Sequence, residues 1–222
     1  MKRAVILMNR SAHWWQWVRH FGDFVTIPLA ILTFAGLAGL SRLYLVVVGL
    51  LAWTLVEYLM HRFVFHHFPL ARHLHQLHHD HPADPDSERS SLSTPLVVAP
   101  FALLSLGIAG VEDGSAILAG LLAGYLIFIA VHHAVHRWPV NPRSPLYSIK
   151  LRHLVHHHLE DCNFGVTTGF WDVICRSSAG AVAKRRLRSR RSLAGRRRRP
   201  RTSYEPAGSH RQGEERTAPP AC

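Results

Sequence analysis

The sequence predicts an all-α integral membrane protein: four transmembrane helices with a histidine-rich cap on their cytosolic side. Three observations predict this. Four long apolar stretches lie within 222 residues, 18 histidines collect at one end of those stretches, and basic residues concentrate at the same end.

A spanning helix needs about 20 mainly apolar residues, with a range of about 17–25. The first candidate runs from Phe24 to Leu40, between Asp23 and Arg42. The second runs from Leu43 to Met60 and carries one charge, Glu57. The third lies between Ser93 and Val111, and the fourth runs from Ser115 to Val131. Four such segments exceed what a soluble helical core of this length requires. Ser41-Arg42 and Glu112-Asp113-Gly114 are too short for anything but tight turns, so each pair of spans is a hairpin and both turns share one side. The N-terminus (Lys2, Arg3, Arg10, Arg19), the 61–92 segment and the C-terminal part share the other. The excess of basic residues there makes that side cytosolic, with both termini on it. Trp14, Trp15 and Trp17 suit an interfacial anchor. The apolar run Ala4–Met8 is too short for a signal-peptide core. Ala119, Gly120, Ala123 and Gly124 in the fourth span permit close helix packing.

Charge and cysteine exclude other classes. From Lys184 onward there are 13 basic and 3 acidic residues, whereas residues 1–183 hold 13 and 11. The net charge of +12 therefore belongs to a tail, and no aromatic interleaving accompanies it, which argues against nucleic acid as partner. Cys162, Cys175 and Cys222 form neither a paired framework nor a cysteine zinc motif. A metal transporter should carry ionisable groups near the middle of several spans, and these spans have none.

The histidines follow the second and fourth spans. His75-x-x-His78-His79 recurs as His153-x-x-His156-His157. Residues at i, i+3 and i+4 share a helix face, so each triplet is expected to present three imidazoles in one direction. His132 and His136 form a further i, i+4 pair. His61 and His66 are five apart, which a straight helix does not align, so the second helix is expected to end or unwind near Phe65, ahead of Pro69. The chain reads as two similar halves, each a helical hairpin, a histidine pair and HxxHH, and two equivalent ligand sets imply two metal ions. Imidazole suits iron, zinc, copper and nickel, and so many polar rings at a membrane edge are costly unless coordinated. The fold class is thus all-α with a cytosolic dimetal cap. His13, His20 and His210 read as ordinary surface residues, and His67, His73, His81, His133 and His158 as neighbours outside the ligand set.

EYLMHRFVFH (57–66), HQLHH (75–79), HHAVH (132–136), HLVHH (153–157) and NFGVTTGFWD (163–172) together resemble the fatty acid hydroxylase/sterol desaturase superfamily, over about residues 43–173. The resemblance implies ten metal ligands: His61, His66, His75, His78, His79, His132, His136, His153, His156 and His157. It implies two iron ions, with zinc an alternative in isolated protein, and O2 as co-substrate. The implied reaction is hydroxylation of an unactivated lipid C–H bond, fatty acyl or sterol-like. An acyl or sterol desaturase, a carotenoid hydroxylase and an inactive metal-binding relative are the alternatives. Ligand imidazoles need orientation through their second nitrogen. Glu57, one turn before His61, is the leading candidate to supply it, with Asp161 and Asp172 after it. Asn163 and Trp171 are expected to close the metal-bearing segment onto the membrane helices. The chain has no dinucleotide fingerprint and no haem domain, so electrons come from an external electron-transfer protein. The location is the cytoplasmic membrane of a bacterium or the endoplasmic reticulum of a eukaryote.

The pattern breaks at one place. Relatives continue Trp-Asp with two residues and Phe-Gly-Thr, whereas here Cys175-Arg176-Ser177 stand there and a basic run follows. The expected organisation is an interfacial segment (1–23), a membrane domain (24–173) and a basic tail (174–222). The tail is either the product of a frame change near Ile174 or a disordered segment that lies on anionic lipid, each basic residue adding about 1 kcal/mol.

Overall fold

A computed structural model describes residues 17–19, 21–82, 84 and 94–198, with side chains to 189. Trp14, Trp15, the N-terminal Lys2, Arg3 and Arg10, the run Ala4–Met8, His13, His20, His210, Cys222 and the tail beyond 198 lie outside the described residues. Every regular element among the described residues is helical. Helix α1 is Asp23–Ala38, and a short 3₁₀ turn Leu40–Arg42 leads into α2, Leu43–Leu59. Gly39, at φ 76°, ends α1, a conformation that costs glycine little. A π-helical segment, Met60–Phe65, extends α2 without a break. Helix α3 is Pro69–Asp80, α4 is Thr94–Arg137, α5 is Pro145–His158, α6 is Phe170–Ile174 and α7 is Ala179–Arg198.

Leu40–Phe65 and Thr94–Arg137 are long and apolar enough to cross a membrane, and α1 is a shorter apolar helix of 16 residues. Helix α4 doubles back on itself at Gly110 (φ 77°, ψ −177°). Past that break Gly114 packs against the Ser105–Leu106 backbone, where a Cβ would lie 2.5 Å from the Ser105 carbonyl oxygen. The turn was expected at Glu112-Asp113-Gly114. It falls at Gly110 because glycine alone enters this conformation freely, and the two carboxylates then sit in the next helical turn, where the N-terminal dipole favours them. Both carboxylates pair with Arg42: its Nε donates to Asp113 at 2.5 Å and its Nη2 to Glu112. The two hairpin turns are therefore neighbours.

Helix α2 packs against the second limb of α4 along glycines. A Cβ at Gly49 would meet the Ile117 carbonyl oxygen at 2.1 Å, one at Gly120 the Val46 carbonyl oxygen at 2.1 Å, and one at Gly124 the Trp53 side chain. Trp53, Leu118, Leu122 and Tyr125 form the core beside this seam, joined by Ile27 of α1. The small residues thus serve helix packing, as in other closely approaching apolar helices.

The first compact unit runs to Lys184, and the second is Arg185–Cys222. Ser177 and Val182 are buried. Arg176 takes φ 53°, a left-handed conformation that L side chains rarely adopt. Ser177 hydrogen-bonds Tyr58 and Asp172 through its hydroxyl and Asn163 through its carbonyl, so the body's hydrogen-bond network continues past Ile174. The segment Ala179–Arg198 is helical, which its Ala, Leu and Arg favour.

Candidate metal centre

Two helices that begin alike carry the HxxHH motifs. Pro69 and Pro145 each open a helix, preceded by the extended residues Phe68 and Ser144. Proline suits the first helical position, which needs no N–H, and it disfavours helix in the residue before it. Ser144 caps α5 by accepting from the Leu146 N–H at 3.2 Å.

The ten histidines form two clusters of five. His61, His66, His75, His79 and His156 make the first. His78, His132, His136, His153 and His157 make the second. Within each, one ligand atom per residue lies within 4.8 Å of all the others. The triplets do not point one way, as the shared-face expectation had it. His75 and His79 stay with the first half while His78 crosses to the second cluster. His153 and His157 stay with the second half while His156 crosses to the first. The reason is angular: at about 100° per residue, i and i+4 differ by about 40°, whereas i+3 and i+4 differ by about 100°. Two motifs facing each other therefore exchange their middle histidines.

The π-helical segment solves the spacing of His61 and His66. Five residues along an α-helix turn by about 140° beyond a full circle, but the wider i→i+5 bonded turn brings such positions together. The two rings stack with centroids 5.3 Å apart. The second helix thus widens at this point and ends at Phe65, as Pro69 beyond it permits.

The Nε2 atoms converge. His61–His75 and His79–His75 are each 3.0 Å apart, and His66–His156 3.3 Å. In the second cluster His78–His136 is 3.2 Å, His136–His153 2.8 Å and His157–His153 3.1 Å. Donor atoms set at right angles around one ion, with bonds of about 2.1 Å, would lie about 3.0 Å apart. His61 Nδ1–H donates to the Phe164 carbonyl at 2.5 Å, and His156 Nδ1–H to the Cys162 carbonyl at 2.8 Å. A carbonyl only accepts, so the Nε2 of both rings carries a lone pair directed into the cluster. Burial pushes His66 down to about 4, His78 and His156 to about 3 and His157 to about 2, and holds His75, His79 and His153 below the ordinary histidine value. These imidazoles are neutral at pH 7, the form that binds metal. Donor type, spacing and protonation all fit a metal ion in each cluster.

The carbonyls that hold His61 and His156 belong to a loop, 159–169, gripped by two buried carboxylates. Glu57 accepts from the Val166 N–H at 2.6 Å, the Thr167 N–H at 2.9 Å and the Thr167 hydroxyl at 2.5 Å. Asp172 accepts from the Phe164 and Gly165 N–H groups at 2.9 Å and from the Ser177 hydroxyl at 2.8 Å. Arg152 donates to the Gly165 and Val166 carbonyls. Glu57 therefore reaches His61 through the loop, not by touching the ring. Asp161 is exposed and joins neither cluster. Asn163, at φ 57°, joins the Arg152 carbonyl to the Ala179 N–H, and Trp171 Nε1–H donates to Thr54 of α2 at 3.0 Å. Sequence reasoning missed Arg152, Thr167 and Ser177, and it had no means of finding the two backbone carbonyls. His67, His73, His81, His133 and His158 join neither cluster.

The fatty acid hydroxylase family model matches residues 46–177, more than half of the chain. The chain belongs to the fatty acid hydroxylase family. Among its hydroxylase relatives is the dihydroceramide fatty acyl 2-hydroxylase FAH2 of Arabidopsis thaliana, 32% identical over 77% of this chain and 75% of that protein. The fatty acid 2-hydroxylase of Rattus norvegicus is 35% identical over 58% of this chain and 37% of that protein, so the chain spans just over a third of that relative's length. The solved structure of full-length scs7p, with only its hydroxylase domain visible, aligns with a TM-score of 0.64 and 27% identity, over 75% of this chain and 67% of that one. The family match includes Ser177, beyond the point where the sequence pattern breaks.

Proposed function

We propose that this chain is a membrane-bound, O2-dependent lipid hydroxylase that uses two iron ions, one in each five-histidine cluster. The single observation that carries this is the convergence of ten neutral imidazoles into two sets of five in a fatty acid hydroxylase family member. The relatives' names favour a fatty acyl chain as substrate and the carbon next to the carbonyl as the site of attack, and they favour hydroxylation over desaturation. The four apolar helical limbs, α1, α2 and the two of α4, are read as four spans with the clusters and both termini on the cytosolic side. Residues 1–23 are read as an interfacial segment, and the basic residues after Lys184 as lying on anionic lipid.

Two iron ions held by the ten histidines would supply O2 activation: with two electrons from an external electron-transfer protein and two protons, one oxygen would enter the lipid C–H bond and the other would leave as water. The chain's residues prepare for this. Phe164 and Cys162 fix the tautomers of His61 and His156. Glu57, Asp172 and Arg152 fix the loop that carries those carbonyls. Burial keeps the ligand rings neutral.

Expression with ¹⁸O2 followed by lipid mass spectrometry tests the proposal. A 2-hydroxy acyl product carrying one ¹⁸O, lost in a His78→Ala, His156→Ala double variant, is expected. Unlabelled product, or none from a metal-loaded chain supplied with reductant, would refute it.

A further inference from the structure

The two clusters are alike in donors and unlike in surroundings. In the first, His61 and His156 are tied at Nδ1 to carbonyls of the 159–169 loop, which is itself held by Glu57, Asp172 and Arg152. In the second, the Nδ1 atoms of His78, His153 and His157 are buried and make no hydrogen bond among the described residues. In the first cluster His79 has the one buried Nδ1 that makes no hydrogen bond among the described residues, and it lies 3.9 Å from a Glu160 carboxylate oxygen.

Charge follows the same division. The Glu160 carboxylate lies beside His79 of the first cluster. In the second cluster Arg137 follows His136 directly in the chain, and Lys150 stands one helical turn before His153. A carbonyl that accepts from the outer N–H of an imidazole raises the basicity of its inner nitrogen and fixes its orientation. A nearby carboxylate stabilises a bound cation, and nearby lysine and arginine destabilise it. Both differences favour the first cluster.

We propose that the chain holds its two ions unequally. The cluster of His61, His66, His75, His79 and His156 retains its ion, the cluster of His78, His132, His136, His153 and His157 exchanges its own, and Glu57 is the positioning residue that secures the first through the loop. This rests on the reading that each cluster holds one metal ion. It makes loading of the second cluster follow the surrounding metal concentration while the first stays filled.

The test uses the full chain in detergent, loaded with Zn(II), which is redox-inert, and challenged with excess chromogenic chelator. Zinc is expected to leave in two phases of equal amplitude, with rates at least about tenfold apart. His66→Ala should abolish the slow phase and His132→Ala the fast one. Glu57→Gln should accelerate the slow phase about 10- to 100-fold and leave the fast phase unchanged. Thr167→Val, which removes one of the three donors to Glu57 and keeps the carboxylate, should accelerate the same phase by less, and it serves if Glu57→Gln fails to fold. Release of both ions in one phase, or equal acceleration of both phases by the folded variants, would overturn the proposal while leaving two metal sites. A loaded chain that holds fewer than two zinc ions would overturn the two-ion reading itself.

Discussion

Replacing Gly120 with alanine places a methyl carbon 2.1 Å from the Val46 carbonyl oxygen, 2.7 Å from the Leu50 nitrogen and 2.9 Å from the Gly49 Cα. Ordinary contact begins near 3.4 Å, so the first of these is about 1.3 Å too short. All three atoms are backbone, and no side-chain rotation relieves them. Helix α2 has to move away from α4, and the neighbouring contacts of Gly49 with Ile117 and of Gly124 with Trp53 loosen with it. Overpacking of this kind costs about 1–3 kcal/mol, and rigid backbone on both sides places Gly120→Ala near about 3 kcal/mol. For a chain of this size that lowers the melting temperature by about 6–12 °C. Gly107→Ala is the matched control, since its Cβ would enter open space. Exchange of a mid-helix glycine there should stabilise by about 0.5–1 kcal/mol. Both melting temperatures are read by tryptophan fluorescence in detergent. If Gly120→Ala melts within about 2 °C of the parent, or if the two variants shift in the same direction, the close helix approach is wrong.

Arg176→Gly should stabilise the chain by about 1 kcal/mol, because arginine is strained at φ 53° and glycine is not; a denaturant titration that finds it neutral or destabilising contradicts the assignment. In metal-free protein, stability should fall as pH drops below about 6.5. Burial holds His78 and His156 near 3 in the folded chain against an ordinary value of 6.5. Between those values the unfolded chain binds protons that the folded chain refuses, so each ring costs about 1.4 kcal/mol per pH unit. Above pH 6.5 these two rings are unprotonated in both states and add nothing further to the pH dependence. A denaturation midpoint at pH 5.5 equal to or above that at pH 7.5 would exclude this.

Much of the architecture was legible in the residues because its determinants are local. Apolar runs marked the helices, Pro69 and Pro145 marked the starts of the HxxHH helices, and the repeated spacings marked the histidines that gather. The grouping of those histidines was not legible. Which of His75, His78 and His79 belong together depends on a second helix facing the first, a tertiary fact that periodicity along one helix does not contain. The π-helical segment was hidden for a related reason: the five-residue spacing of His61 and His66 signalled irregularity but not its kind. Glu57 and Asp172 stood out as acidic residues near the motifs, yet both grip backbone amides of one loop, which for Glu57 lies more than a hundred residues away and which sequence does not announce. The departure at Cys175-Arg176-Ser177 looked like an ending. Ser177 supplies a hydroxyl to Tyr58 and Asp172, and Arg176 takes a left-handed backbone angle beside it, so the network continues past the break.

Metal content of paired histidine variants tests the central claim most directly, because the exchange of middle histidines decides which pairs share an ion. The parent chain should carry about two ions. His66→Ala with His156→Ala, and His78→Ala with His132→Ala, should each leave about one, since each pair empties a single cluster. His78→Ala with His156→Ala takes one ligand from each cluster and should weaken both. If the His66, His156 pair or the His78, His132 pair depletes both ions, the two five-histidine centres are wrongly drawn.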